Sequence, residues 1–162
     1  MLILKLILIA TLLFIFYQDF KEQHVYWFLF PIVGILFAFI HFTMVGKINF
    51  FIAVVFNLLL IFTVLSILFL YSKMILKINF INGSFGLGDV LFFIAVCFSF
   101  PTVNFITIFV FAVFFSLAFF WALKKRYHFS TVPLAGFMSL FFAIVLSVSI
   151  LFNFSSLYLT QL

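Results

Sequence analysis

Acidic residues are nearly absent: Asp19, Glu22 and Asp89 are the only three in 162, and charged residues of both signs make up 7% of the chain. A soluble domain carries about a quarter charged residues and is about 45–50% apolar. Here 69% are hydrophobic and 32 residues are Phe, so the chain cannot cover a water-exposed surface, which leaves a polytopic membrane protein. Cysteine is equally scarce. Cys97 stands alone, which excludes a disulfide framework and a Cys-x-x-Cys zinc site. His24, His41 and His128 are dispersed, with no i, i+4 pair to hold a metal ion. No long basic stripe or aromatic RNA-reading motif accompanies the net charge of +5, so nucleic acid is not an expected partner. The first apolar stretch has Lys5 as its one basic residue and no small-x-small cleavage site, so it reads as a retained helix. No internal repeat or soluble domain is visible; residues 1–162 read as one membrane-embedded domain.

A spanning helix needs roughly 20 mainly apolar residues. Spans are expected over about Leu2–Tyr17, Val25–Val45 and Phe50–Tyr71. A longer connection, Ser72–Gly88, follows with Lys73, Lys77 and the turn-rich Asn82-Gly83-Ser84. The segment from Lys73 to Ile81 fits either an interfacial helix or an extension of the third span. Asp89–Leu123 is too long for one crossing, since it would run roughly 50 Å against a core of about 30 Å. A turn at Pro101-Thr102-Val103-Asn104 divides it into a short fourth span and a fifth from about Asn104 to Leu123, and a sixth covers about Val132–Phe152. With six spans, Lys21, Lys73, Lys77, Lys124, Lys125 and Arg126 fall on one side, against Lys5 and Lys47 on the other. The positive-inside rule then puts the first group in the cytoplasm and both termini outside, in an inner-membrane protein. The expected fold is all-α, a bundle of six transmembrane helices, with Lys124-Lys125-Arg126 against anionic headgroups.

That topology brings all three acids to the cytoplasmic face. Asp89 alone reads first as a helix N-cap, and Asp19 alone as an interfacial charge beside Lys21. Their joint placement, in spans otherwise free of acids, favours a functional site. Asp19 lies at a helix C-terminus, which opposes its charge, and Asp89 at a helix N-terminus, which favours it, so the two carboxyls are expected to titrate apart. Two neighbouring carboxylates share a proton, and such a pair can activate water against a peptide carbonyl with no cofactor or metal.

The second acid ends the string Gly83-Ser84-Phe85-Gly86-Leu87-Gly88-Asp89. Glycines there are expected to open backbone dihedrals and let an extended substrate approach. Asp19 after the first span, Gly86-Leu87-Gly88-Asp89 opening the fourth, and Thr131-Val132-Pro133-Leu134-Ala135-Gly136 opening the last together resemble the Gly-x-Gly-Asp intramembrane aspartic proteases. The closest likeness is to the type IV prepilin and preflagellin peptidases, and it covers nearly the whole chain. The resemblance implies an aspartic endopeptidase that removes the short cationic leader of prepilin-like substrates. It implies Asp19 and Asp89 as catalytic residues, with Gly86, Gly88 and Pro133 shaping the site. Many members carry Lys two residues after the motif Asp, where this chain has Leu91. The cysteines of the bifunctional members are missing, which implies the short, peptidase-only form. The order Tyr17-Gln18-Asp19 disfavours the presenilin branch, which carries Tyr-Asp.

For the substrate, Glu22 is expected to attract the cationic leader, and Lys73 or Lys77 to meet an acidic residue downstream. Asn57 reads as an interhelical hydrogen-bonding residue, Cys97 as packing, and Tyr26 and Trp27 as an aromatic belt. Two other functions compete: a non-catalytic subunit that binds pilin-like helices, and a small proton or ion transporter. A transporter is expected to carry acids nearer the midplane or paired broken helices.

Overall fold

The computed structural model describes residues 1–76, 86–124, 132–152 and 155–158. Six α-helices account for nearly all of them: α1 Leu2–Glu22, α2 Leu29–Val45, α3 Lys47–Tyr71, α4 Leu87–Val96, α5 Thr102–Leu123 and α6 Leu134–Leu151. Four of these, α1, α3, α5 and α6, are long and apolar enough to cross a membrane, the mark of a membrane protein. The other two are shorter apolar helices of 17 and 10 residues.

Helix ends differ from the hydropathy reading where polar residues are good helix formers. Beyond Tyr17 the chain continues as helix through Gln18, Asp19, Phe20, Lys21 and Glu22. Nothing in that stretch breaks a helix. The stop is Gln23, in the left-handed region at φ 52°, whose N–H donates to Asp19 O at 3.1 Å. Asp19 therefore lies in the last turn of α1 rather than after it. Gly46, at φ 80°, is the single residue between α2 and α3, a conformation that side chains resist. Ser72–Leu76 continues α3 as one π-helical turn; Lys77 and the turn at 82–84 lie outside the described residues.

Chain direction alternates, so two groups of helix ends form. At one end the C-terminus of α1 meets the N-termini of α4 and α6. At the other, Thr43 reaches Met1, His41 packs on Phe50 and Tyr158, and Asn104 Nδ2 donates to Leu157 O at 2.9 Å. α6 is the centre: 50% of its apolar stretch is buried, against 22–28% for α1, α3 and α5. Its Phe142 touches Phe37, Phe92 and Phe100 at centroid distances of 5.9–6.4 Å, largely edge to face as ring quadrupoles prefer.

The expected break before Pro101 is present, and it comes early. α4 ends at Val96, and Cys97–Phe100 is irregular yet almost wholly buried. Buried backbone groups outside a helix need partners. Asn57 supplies two, its Nδ2 donating to Cys97 O at 2.9 Å and Phe100 O at 3.0 Å. His41 Nδ1 lies 3.1 Å from Phe98 O; a carbonyl only accepts, so this nitrogen carries the proton.

Candidate active site

The buried stripe of α1 reads Leu8, Leu12, Ile15, Asp19, which is helical spacing, so the same periodicity that packs α1 into the bundle turns Asp19 inward. Asp89 is the third residue of α4, with Gly86 as N-cap. Its carboxylate turns back to the Gly86 amide, as a capping-box acid does.

What joins them is the start of α6. The Gly136 N–H donates to Asp19 Oδ2 at 2.6 Å, and the Ala135 N–H donates to Asp89 Oδ1 at 2.8 Å. The first amides of a helix have no intrahelical acceptor. Pro133, the N-cap of α6, offers no side-chain cap. Two carboxylates from distant parts of the chain satisfy those donors instead, at the positive end of the α6 dipole. Because the two amides are consecutive, the acids become neighbours, and Asp19's charge acts on Asp89. The expected asymmetry of position is present, with Asp19 in the last turn of α1 and Asp89 in the first turn of α4; the N-terminus of α6 adds a favourable dipole that both carboxylates share.

Gly136 makes that approach possible. A Cβ at this position would lie 2.8 Å from both Cβ and Oδ2 of Asp19. Gly86 plays a lesser part, since a Cβ there would lie 3.0 Å from Asp89 Oδ2. At Gly88 an added Cβ would meet the Phe30 ring at 3.5 Å, an ordinary contact. Neither motif glycine adopts a positive φ, so their value here is space beside the acid, not the backbone freedom expected from the string. The rings of Phe16, Phe20, Phe119 and Phe137 form a connected cluster joining α1, α5 and α6, with centroid separations of 5.2–6.3 Å.

The remaining expected site residues are scattered. Pro133 stands at the head of α6 beside the acids. Glu22 closes α1 and is exposed; Lys73 is exposed with its Nζ 5.9 Å from the Phe69 ring centre. Among the described residues no hydrogen bond joins either to Asp19 or Asp89. Lys77 falls outside those residues. Three participants had no signal in the sequence reading. One is the pair of α6 amides. Another is buried Gln18, whose Oε1 accepts from Tyr26 N–H at 3.4 Å and ties down the α1–α2 connection. The third is exposed His24, close enough to Asp19 for their charges to interact. Among the described residues no three His, Cys, Asp or Glu gather to hold a metal ion.

No protein-family model, curated protein or solved structure matches this chain. The functional reading therefore rests on the residues and their geometry.

Proposed function

We propose that this protein is a membrane aspartic endopeptidase of the prepilin-peptidase type, which removes a short cationic leader from prepilin-like substrates. The observation that carries this reading is the binding of Asp19 and Asp89 to consecutive amides of α6. A purely structural cap needs one acid; two acids at one helix start form a pair that can hold one proton between them.

The chemistry follows from that proton. The ionised carboxylate removes a proton from a water molecule as the water oxygen bonds to the scissile carbonyl carbon. The protonated partner hydrogen-bonds the carbonyl oxygen and takes up its developing charge. Collapse of the tetrahedral intermediate breaks the C–N bond, and a carboxyl proton passes to the leaving nitrogen. One oxygen of each acid is anchored to α6, so the pair is oriented before substrate arrives.

In this reading all six helices cross or enter the inner membrane, and the end holding the acids faces the cytoplasm with both termini outside. The basic residues Lys21, Lys73 and Lys124 at that end support this orientation, and Lys124 contacts anionic headgroups. Exposed Tyr17, Tyr26, Trp27, Tyr71 and Trp121 at the same end suit the headgroup region. Glu22 draws the cationic leader, and Lys73 meets an acidic residue beyond the cleavage point.

The deciding experiment incubates the detergent-purified protein with a prepilin and follows leader loss by mass spectrometry. Asp19→Asn and Asp89→Asn should each abolish cleavage. Persistent cleavage by the double variant ends the proposal.

A further inference from the structure

Four buried side-chain atoms among the described residues have no hydrogen-bond partner: Asn57 Oδ1, Ser116 Oγ, His41 Nε2 and Tyr158 OH. The last two are neighbours. Their rings stand 6.2 Å apart, centre to centre, at the end of the bundle opposite the acids. His41 is 0% exposed and Tyr158 6%, so bulk solvent reaches neither polar atom. A buried polar group left alone is costly, and such groups in folded proteins are nearly always paired.

The chemistry of the two atoms is complementary. His41 Nδ1 donates to Phe98 O at 3.1 Å, which leaves Nε2 of the neutral ring as an acceptor. The Tyr158 hydroxyl both donates and accepts. The two do not bond each other directly. A group that joins them must donate to the imidazole nitrogen and also bond the phenol. It must be small, because both atoms are enclosed, with Phe50 packed 5.2 Å from His41 and Phe100 5.4 Å from Tyr158. A simple anion has no hydrogen to give Nε2. A cation finds no carboxylate here, since Asp19, Glu22 and Asp89 are all at the other end. Lys5 Nζ, 5.9 Å from the centre of the Tyr158 ring, repels one as well.

We propose that His41 Nε2 and Tyr158 OH form a binding site for one buried water molecule, which fastens the turn Ser155–Tyr158 to α2. Internal waters bridge otherwise unpaired polar groups in this way. The turn already has one polar tie, from Asn104 Nδ2 on α5 to Leu157 O at 2.9 Å. The water supplies a second, to a different helix. His41 also holds Phe98 O, and the Tyr158 ring lies on Phe100. The same water therefore connects the turn to the buried break that ends α4. This site is independent of the proteolytic reading.

The test begins with crystals of the full-length protein grown in lipid, at a resolution that shows ordered water. A density peak should lie within about 2.7–3.2 Å of both atoms. A direct Tyr158–His41 bond, or no peak between the two, overturns the proposal. Two variants then read the bridge in detergent. Tyr158→Phe removes the hydroxyl and keeps the ring. His41→Asn keeps a nitrogen in the place of Nδ1 for Phe98 O and removes Nε2. Tyr158→Phe should lower the thermal midpoint by roughly 2–4 °C. In the His41→Asn background the same change should have no further effect, because the water has already lost one of its two partners. Losses that add, or an unchanged midpoint for Tyr158→Phe alone, overturn the bridge. Should His41→Asn fail to fold, the density and the Tyr158→Phe midpoint decide the matter.

Discussion

At the scale of single residues, three glycines near the acids differ in what surrounds them, and this gives an ordered prediction. Gly136→Ala drives a methyl into Asp19, Gly86→Ala crowds Asp89, and Gly88→Ala makes only van der Waals contact with Phe30. Overpacking of the first kind costs about 1–3 kcal/mol. Cleavage of a prepilin substrate should fall most for Gly136→Ala, by roughly tenfold or more, less for Gly86→Ala, and little for Gly88→Ala. If Gly88→Ala were the most damaging of the three, space beside the acids would not be what these glycines supply. The pair also sets the response to pH. The proposed mechanism requires one proton on two carboxyls, so cleavage should fall on the acid side as both become protonated and on the basic side as both ionise. A pH–rate profile of kcat/KM with a single limb would assign the chemistry to one acid rather than two.

At the scale of elements, the buried break after α4 makes a separate stability claim. Asn57 is fully buried and gives both hydrogens of one amide group to carbonyls of the irregular segment. Asn57→Leu keeps the volume and removes the donors, so two carbonyls lose their partner inside the bundle. The cost should be about 1–3 kcal/mol, read as a lower thermal midpoint in detergent, and Asn57→Gln should recover part of it. An unchanged midpoint would mean that the segment finds other donors. This break also shows what the sequence could and could not reveal. Hydropathy located the six α-helices but not the 3-10 turn at Ser155–Tyr158, and Pro101 announced the interruption, because proline and apolar runs act locally. The end of α4 at Val96, five residues before that proline, depends on Asn57 and His41, which are distant in sequence. Asp19 and Asp89 were legible because acids are so rare here. Their common anchor was not: Ala135 and Gly136 contribute only backbone N–H groups, which every residue except proline possesses.

At the scale of the whole molecule, the reading depends on which side of the membrane the acids face, and the chain makes that measurable. Its sole cysteine, Cys97, is fully buried, with Sγ 3.2 Å from Phe93 O, so Cys97→Ser retains a donor and clears the background. In that variant Lys124→Cys follows the last turn of α5 at the end where the acids gather, and Lys47→Cys opens α3 at the opposite end. A membrane-impermeant maleimide should label position 47 in intact spheroplasts and position 124 only in inverted vesicles. The driving asymmetry is charge: among the described residues the end with the acids holds Lys21, Lys73 and Lys124, against Lys5 and Lys47 at the other, and basic residues stay in the cytoplasm when short loops are sorted. Labelling of both positions from one side would mean that α5 does not cross against α3, and the common end for the acids would lose its topological basis. Labelling of position 124 from outside would leave the pair intact but turn it toward the periplasm, away from the leaders of newly made prepilins.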